Sequence, residues 1–141
     1  MIESKYTSNI HQRLPANVYH WKINDNFAGG VPDAFYRVLD NPDAKPMWVE
    51  YKLIKALPKR ASTRVIPDLS PQQLVWLKQT VNNSEIVRVV VGVESEKVDR
   101  QVTGIILEPN KWETGFTSEE YHSNKLTYSE MAKIFVELMS G

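Results

Sequence analysis

Apolar residues recur at helical spacing in three parts of the chain. The first row of apolar residues, spaced four apart from Ile2, predicts a helix over residues 2–14 that ends at Pro15. A second helix is predicted to begin at Pro71, with Ser70 as its N-cap. Near the carboxyl end, Thr127 and Glu130 have the spacing of a capping box in front of the third row. The rows are Ile2, Tyr6, Ile10 and Leu14; Leu74, Leu77 and Val81; and Met131, Ile134, Phe135, Leu138 and Met139. The last row either completes the core or forms a dimer contact.

Between these helices, runs of β-branched and aromatic residues predict strands. The first three cover residues 18–23, 34–39 and 47–54, and the second and third form a hairpin across a proline-rich turn. The continuous apolar run 86–93 is typical of a strand buried on both faces, and residues 103–107 form a further strand. This order predicts a single α/β domain over residues 1–141, with a mixed β-sheet flanked by helices.

Composition narrows the possible functions. The chain has 141 residues, and its 17 basic side chains balance its 17 acidic ones, so no strong overall attraction to nucleic acid or membrane is expected. It has no cysteine, which excludes disulfides, thiolate metal sites and cysteine nucleophiles. No signal-peptide core and no long apolar run are present. We therefore expect a soluble protein of the cytoplasm.

The balanced charge is unevenly distributed. Residues 1–78 carry 11 basic and 7 acidic side chains, whereas residues 79–141 carry 6 and 10. The stretch from Lys52 to Arg64 holds five basic residues and no acidic one. Such a patch is either a solvated loop or a contact for nucleic acid.

Three charged residues on neighbouring strands are the best candidates for catalysis. The sequence lacks the His-Glu-x-x-His, Walker, Gly-x-Gly-x-x-Gly and Gly-x-Ser-x-Gly motifs. Asp33 precedes the second strand, and Glu50 and Lys52 lie on the third. Because side chains two apart on a strand share a face, Glu50 and Lys52 lie side by side and Tyr51 points away. If the two strands pair, Asp33 approaches Glu50.

Two converging carboxylates repel each other unless a cation or a proton lies between them. Oxygen ligands completed by water suit Mg²⁺, which can bind a phosphate and activate a water molecule. A lysine beside it can hold that water or neutralise the developing negative charge. The group therefore indicates phosphodiester hydrolysis. The alternative for Glu50 and Lys52 is an exposed ion pair of little consequence.

Several segments resemble the PD-(D/E)xK nuclease superfamily, and more narrowly its VRR-NUC branch, which includes virus-type Holliday-junction-resolvase-like nucleases. They are Gly-Val-Pro-Asp-Ala-Phe at 30–35, Trp-Val-Glu-Tyr-Lys at 48–52, Trp-Lys-Ile-Asn at 21–24 and Leu-Ser-Pro-Gln-Gln-Leu-Val-Trp-Leu at 69–77. The resemblance covers roughly residues 2–95 and implies a restriction-endonuclease-like core.

The resemblance also implies roles for individual residues. Asp33 and Glu50 would be metal ligands, with the backbone carbonyl of Tyr51 as a third. Lys52 would be the catalytic lysine, and Gln73 the glutamine of the second helix that lies near the site. The implied cofactor is Mg²⁺, which Mn²⁺ can replace.

Further residues are implied around this centre. Glu3 is the candidate for an additional acidic metal ligand on the first helix, unless it merely stabilises the helix amino terminus. The link over residues 56–68 is longer and more basic than is usual in the family, and is either a DNA-contacting flap or a disordered insertion. The implied DNA-binding residues are Lys22, Asn24, Lys55, Lys59, Arg60 and Arg64.

The resemblance implies a Mg²⁺-dependent endodeoxyribonuclease, structure-selective on branched DNA, in viral replication, recombination or repair. If a phage encodes it, the expected location is the cytoplasm of the bacterial host. Symmetric cutting of a junction needs two active sites, so a homodimer is expected. The alternatives are a flap, nick or restriction-type nuclease on the same site, or a DNA-binding module without catalysis.

Overall fold

Residues 1–23 and 29–141, which the computed structural model describes, form five strands and five helices. The strands are β1 (Val18–Lys22), β2 (Ala34–Val38), β3 (Met47–Ile54), β4 (Ile86–Val98) and β5 (Gln101–Leu107). The helices are α1 (Glu3–His11), α2 (Pro71–Asn82), α3 (Lys111–Thr114), α4 (Ser118–Asn124) and α5 (Tyr128–Ser140). In this part of the chain, no helix has the length and apolar character needed to cross a membrane.

The strands form one mixed sheet in the order β1-β2-β3-β4-β5. β1, β2 and β3 pair antiparallel, as does β4 with β5, whereas β3 and β4 run parallel. The parallel pair requires a crossover, which α2 supplies. The predicted mixed sheet flanked by helices, including the hairpin of β2 and β3, is thus confirmed.

Helices cover both faces of the sheet. On the α1/α5 face, α1 and α5 bury Tyr6, Ile10 and Phe135 against β2 and β3. On the α2 face, Leu77 of α2 and the aromatic residues of α3 and α4 pack on alternate valines of β4. Met131, Phe135 and Met139 are fully buried, so these members of the predicted apolar row of α5 complete the core, whereas Ile134 and Leu138 are only partly buried. A dimer contact through α5 stays a prediction.

Several predicted boundaries were wrong. α1 ends at His11 rather than Leu14, because hydrogen bonds from Arg13 N to Ile10 O and from Leu14 N to His11 O tighten the chain into turns. β4 and β5 extend beyond the predicted 86–93 and 103–107 to a tight hairpin. Its turn residues Asp99 and Arg100 both have positive φ, which strand patterning does not reveal.

The helices α3 and α4 were not predicted from the sequence. α3 has four residues and α4 seven, too short for an apolar row to repeat. Their buried residues are Trp112 and Tyr121, and Phe116 between them is buried as well. The sequence did contain a signal for the start of α4, because Thr117 and Glu120 have the spacing of the capping box that they form there.

A pair of glycines sets how closely α1 approaches the sheet. Gly92 of β4 and Gly104 of β5 lie opposite each other in the sheet register. A Cβ atom added at Gly104 would collide with the Tyr6 hydroxyl, and one added at Gly92 would lie 2.9 Å from the Tyr6 ring. Tyr6 therefore packs directly on backbone, and this contact fixes the position of α1, which carries Glu3 at its start.

We expect Gly104→Ala to destabilise the protein by about 1–3 kcal/mol, because the added methyl group forces the buried Tyr6 ring and α1 away from the sheet. Adding Tyr6→Phe removes the hydroxyl that causes the collision, so the double variant should regain part of this loss. Urea unfolding of the two single variants and the double variant measures the coupling. Additive losses would show that the two residues do not compete for the same space.

Candidate active site

The register of β2 and β3 brings two carboxylates together on the α2 face. Ala34 lies opposite Val49, so Asp33, one residue before β2, faces Glu50 of β3. Oδ2 of Asp33 accepts a hydrogen bond of 2.8 Å from the backbone N–H of Tyr51. The side chain of Tyr51 is buried on the α1/α5 face, so Glu50 and Lys52 share the α2 face.

Asp33, Glu50 and Lys52 form the centre of the candidate site. Glu50 is its most unusual residue because it is a carboxylate with 3% exposure. Its Oε2 accepts a hydrogen bond of 3.1 Å from Gln73 Nε2, and Lys52 Nζ lies 3.8 Å from the same oxygen. Oε1 is buried and has no hydrogen-bond partner among the residues that the structure describes. Burial, and then the negative charge of Asp33, raise the pKa of Glu50 to about 8, although Lys52 opposes the shift.

Gln73 connects this carboxylate to the start of α2. Its backbone N–H donates to Ser70 Oγ at 3.1 Å, and its Oε1 accepts from the backbone N–H of Ser70 at 2.9 Å. The remaining amide nitrogen is the donor to Glu50. One side chain therefore caps the helix and orients the carboxylate, so the helix start and the centre are held together.

The segment before Asp33 is pressed against the same helix. Gly30 has φ of +91°, a conformation that favours glycine, and a Cβ atom added there would collide with the backbone carbonyl of Gln72. Gly29 lies equally close to the Gln72 side chain. Because this close approach fixes the chain two residues before the buried Pro32, it also fixes Asp33.

Glu3 faces the centre from the start of α1 but is not assembled with the other two carboxylates. Burial, followed by the charge of Asp33, raises the pKa of Glu3, while Lys52 and Lys22 lower it. Within residues 1–23 and 29–141, no three His, Cys, Asp or Glu side chains lie close enough together to hold a metal ion. The predicted role of Glu3 as a metal ligand stays a prediction.

The donor set fits a hard divalent cation. Asp33 and Glu50 offer carboxylate oxygens, and the buried, unpartnered Oε1 of Glu50 lacks the stabilisation that a cation would provide. Mg²⁺ keeps several water ligands and needs few carboxylates, so two facing carboxylates suffice. The predicted contribution of the Tyr51 backbone carbonyl stays a prediction.

A hydrogen-bond chain behind the centre was not predicted from the sequence. Tyr36 Oη lies 2.5 Å from Tyr51 Oη and 2.6 Å from His11 Nε2. Both tyrosines are fully buried, and burial lowers the pKa of His11 to about 4. The chain anchors the Tyr51 side chain, and Tyr51 also donates its backbone N–H to Asp33. The two tyrosines look like ordinary core residues in the sequence, and only the positions of their side chains in the fold reveal the connection.

The predicted DNA-binding residues differ in their exposure and in their contacts. Lys22 is exposed at the end of β1, and Lys55, Lys59 and Arg60 are exposed after β3. Asn24 lies outside the residues that the structure describes.

Arg64 has structural partners. Its guanidinium donates to the carbonyls of Thr114 and Gly115 at 2.8 and 2.9 Å and lies 3.6 Å from Glu120. Val65 pairs with Phe116 through backbone hydrogen bonds. The segment 56–68 is therefore a docked loop rather than a disordered insertion.

We expect Glu50→Gln to stabilise the protein more at pH 9 than at pH 5. Folding raises the pKa of Glu50 to about 8, so the stabilising protonated form is present at low pH and is lost as the pH rises through that value. Because one pKa unit corresponds to about 1.4 kcal/mol and the pKa rises from 4.5 to about 8, the gain at pH 9 should exceed that at pH 5 by about 3–5 kcal/mol. Thermal unfolding in EDTA at both pH values measures it.

The matched control for this measurement is Glu137→Gln, because Glu137 is an exposed carboxylate on α5. The control should change stability equally little at both pH values. An equal effect of Glu50→Gln at pH 5 and pH 9 would contradict the raised pKa.

Comparison with known proteins connects this geometry to a known fold. No protein-family model and no curated protein matches the chain in sequence. Among solved structures, it is similar to Hjc, a Holliday junction resolvase from the archaeal hyperthermophile Archaeoglobus fulgidus. The two chains share 13% identity and a TM-score of 0.54, over 94% of this chain and 98% of the resolvase. The likeness confirms the predicted restriction-endonuclease-like fold class.

Proposed function

We propose that the protein is a divalent-metal-dependent endonuclease that hydrolyses phosphodiester bonds in branched DNA. The observation that carries the proposal is the buried Glu50 carboxylate, which faces Asp33 and has Lys52 at 3.8 Å. Charged groups are rarely placed on a central strand without a functional reason, because burying them costs free energy. The fold shared with a Holliday junction resolvase and the family resemblance of the same three residues support it.

Asp33 and Glu50 would hold the metal, with the Tyr51 carbonyl and Glu3 as further candidates. When bound, Mg²⁺ would activate a water molecule and neutralise charge on the scissile phosphate. Gln73 holds Glu50 Oε2 and thereby leaves Oε1 free to serve as a ligand. The backbone N–H of Tyr51 holds Oδ2 of Asp33 in the same way.

Lys52 would act on the substrate directly. Its side chain is 24% exposed, so its ammonium group reaches solvent while remaining beside Glu50. A lysine in this position would hold the attacking water or offset the negative charge that develops on the phosphate. Because Gln73 donates to the same Glu50 oxygen, Lys52 is not the sole partner of that oxygen and can turn toward a phosphate.

The DNA backbone would be held by exposed basic residues around the centre. Lys22 ends β1, and Lys55, Lys59 and Arg60 follow β3, the strand that carries Glu50 and Lys52. Such contacts position a phosphate backbone without reading its sequence, as expected for selection by shape. Arg64 is a weaker candidate because carbonyl groups and Glu120 already occupy its guanidinium. Resolution of a junction would require a homodimer, and a role in viral recombination or repair follows from the family resemblance alone.

We expect the purified protein to cut a labelled four-way junction or flapped DNA with Mg²⁺ or Mn²⁺, and to cut nothing in EDTA. Asp33→Ala and Lys52→Ala should each lower the rate at least about a hundredfold, because each removes a group that acts at the reacting phosphate. Rates on a junction, a flap, linear duplex and single-stranded DNA identify the preferred substrate.

The control for the cleavage assay is Asp43→Ala, which changes an exposed carboxylate in the turn before β3. It should cut at the parental rate. Folded parent protein that cuts none of the four DNAs with either metal would contradict the proposal. Binding without cleavage would favour a DNA-binding module.

We further expect Mg²⁺ to raise the melting temperature at pH 8, because a cation that binds the folded state relieves the repulsion between Asp33 and Glu50. Asp33→Asn should abolish this increase. Differential scanning fluorimetry with Mg²⁺ and with Na⁺ at equal ionic strength separates binding from screening. An equal increase in both salts would contradict a metal site.

A further inference from the structure

The β1–β2 part of the α2 face carries an exposed group of aromatic and basic side chains. In the register of these strands, Trp21 lies opposite Phe35, and Tyr19 lies opposite Arg37. Trp21 is 51% and Tyr19 45% exposed, Arg37 is exposed, and Phe35 is half-buried. We call these four residues the aromatic platform.

The aromatic platform is continuous with the candidate active site. The rings of Phe35 and Trp48 are 4.9 Å apart, and the rings of Trp48 and Trp76 are 5.1 Å apart. Side chains two apart on a strand share a face, so Phe35 lies beside Asp33 and Trp48 lies beside Glu50. A strand of DNA whose phosphate lies at Asp33 and Glu50 would therefore extend onto the platform.

The composition of the two strands favours nucleic acid over a protein segment as the occupant. Arg37 places a positive charge on the platform itself, and β1 and β2 contain no acidic residue. His20 and Lys22 lie on the same two strands but point to the α1/α5 face. Exposed apolar residues that are scattered singly need no explanation, but here three aromatic side chains on adjacent strands form a contiguous patch, which marks a binding surface. A patch that combines aromatic rings with positive charge is complementary to bases joined by phosphates.

We propose that the aromatic platform stacks unpaired bases of the DNA strand that enters the active site. This inference rests on the proposed nuclease function and specifies its substrate. Every base has a π-face, so stacking on Trp21 and Tyr19 requires no particular sequence. Bases within duplex DNA are already stacked on each other and cannot reach the platform. The preferred substrate is therefore a branched DNA with unpaired nucleotides next to the cleavage site.

Binding without metal tests the proposal separately from cleavage. Fluorescence anisotropy in EDTA is measured with three probes: a forked duplex with a thymidine arm, the same fork with an abasic arm, and linear duplex. The abasic arm keeps the phosphates but offers no bases. We expect Trp21→Ala to weaken binding to the thymidine fork about tenfold, with no more than about a twofold change on the other two probes.

Two variants control for structure. Trp21→Phe keeps an aromatic ring on the edge strand and should retain most of the affinity for the thymidine fork. Ile66→Ala removes an apolar side chain of similar exposure, 58%, that lies outside the sheet, and should bind all three probes like the parent. Circular dichroism and thermal unfolding verify that each variant is folded.

Two results would overturn the inference. Equal weakening of all three probes by Trp21→Ala would mean that the residue supports the fold or the phosphate contacts. Parental affinity of Trp21→Ala for the thymidine fork would mean that no base stacks there, which would leave a protein partner as the occupant. The nuclease proposal fails independently, if Asp33→Ala does not abolish metal-dependent cutting.

Discussion

Glu50 lies on the central strand β3, where it is almost completely buried and faces Asp33. Ionising a carboxyl group in this position costs free energy, so its neighbours must stabilise the negative charge. Lys52 Nζ lies 3.8 Å from Glu50 Oε2, and Gln73 Nε2 donates a hydrogen bond of 3.1 Å to the same oxygen. They stabilise one side of the carboxylate and leave Oε1 without a hydrogen bond from any residue in the described ranges. Two carboxylates with one nearby ammonium group carry a net negative charge when both are ionised. A site built in this way gains free energy from a bound cation, which a fully compensated ion pair would not.

The fold supplies these groups from elements that are distant in sequence, and each is fixed by a separate contact. The backbone of Tyr51 holds Asp33 across the β2–β3 pairing. The capping box of α2 holds Gln73, and the close approach of Gly30 to Gln72 fixes the segment that leads to Asp33. On the opposite face, Tyr6 packs on the Gly92–Gly104 pair and sets the position of α1. The geometry of the centre therefore depends on backbone contacts at both faces of the sheet, which resist the repulsion between the carboxylates.

The sequence predicts those parts of this arrangement that local patterns determine. The bounds of β3, the start of α2 at Pro71 and the capping box of α5 follow from alternation and from capping residues, and the structure has them at the predicted positions. The dual role of Gln73 and the Tyr36–Tyr51 hydrogen bond are invisible in the sequence, because they depend on how separate elements meet. The same holds for the aromatic platform: Trp21 and Phe35 each look like an ordinary strand residue until the register places them side by side. The end of α1 and the hairpin of β4 and β5 were misjudged because turn residues without glycine or proline, such as Asp99 and Arg100, give no local signal.

The zero net charge of the chain explains why DNA binding would need contacts other than ion pairs with phosphates, such as those of the aromatic platform. A protein that held DNA through phosphates alone would need many basic residues and would lose affinity steeply as salt increased. Here the 17 basic side chains are balanced by 17 acidic ones, and Arg64 is held by carbonyl groups and Glu120. Contacts with bases add binding free energy that does not depend on counterion release. They also discriminate between substrates, since duplex DNA presents the same phosphates but no free bases. In the proposed function, a cation held by Asp33 and Glu50 would bind the phosphate, and the platform beside it would select the branched DNA that delivers it.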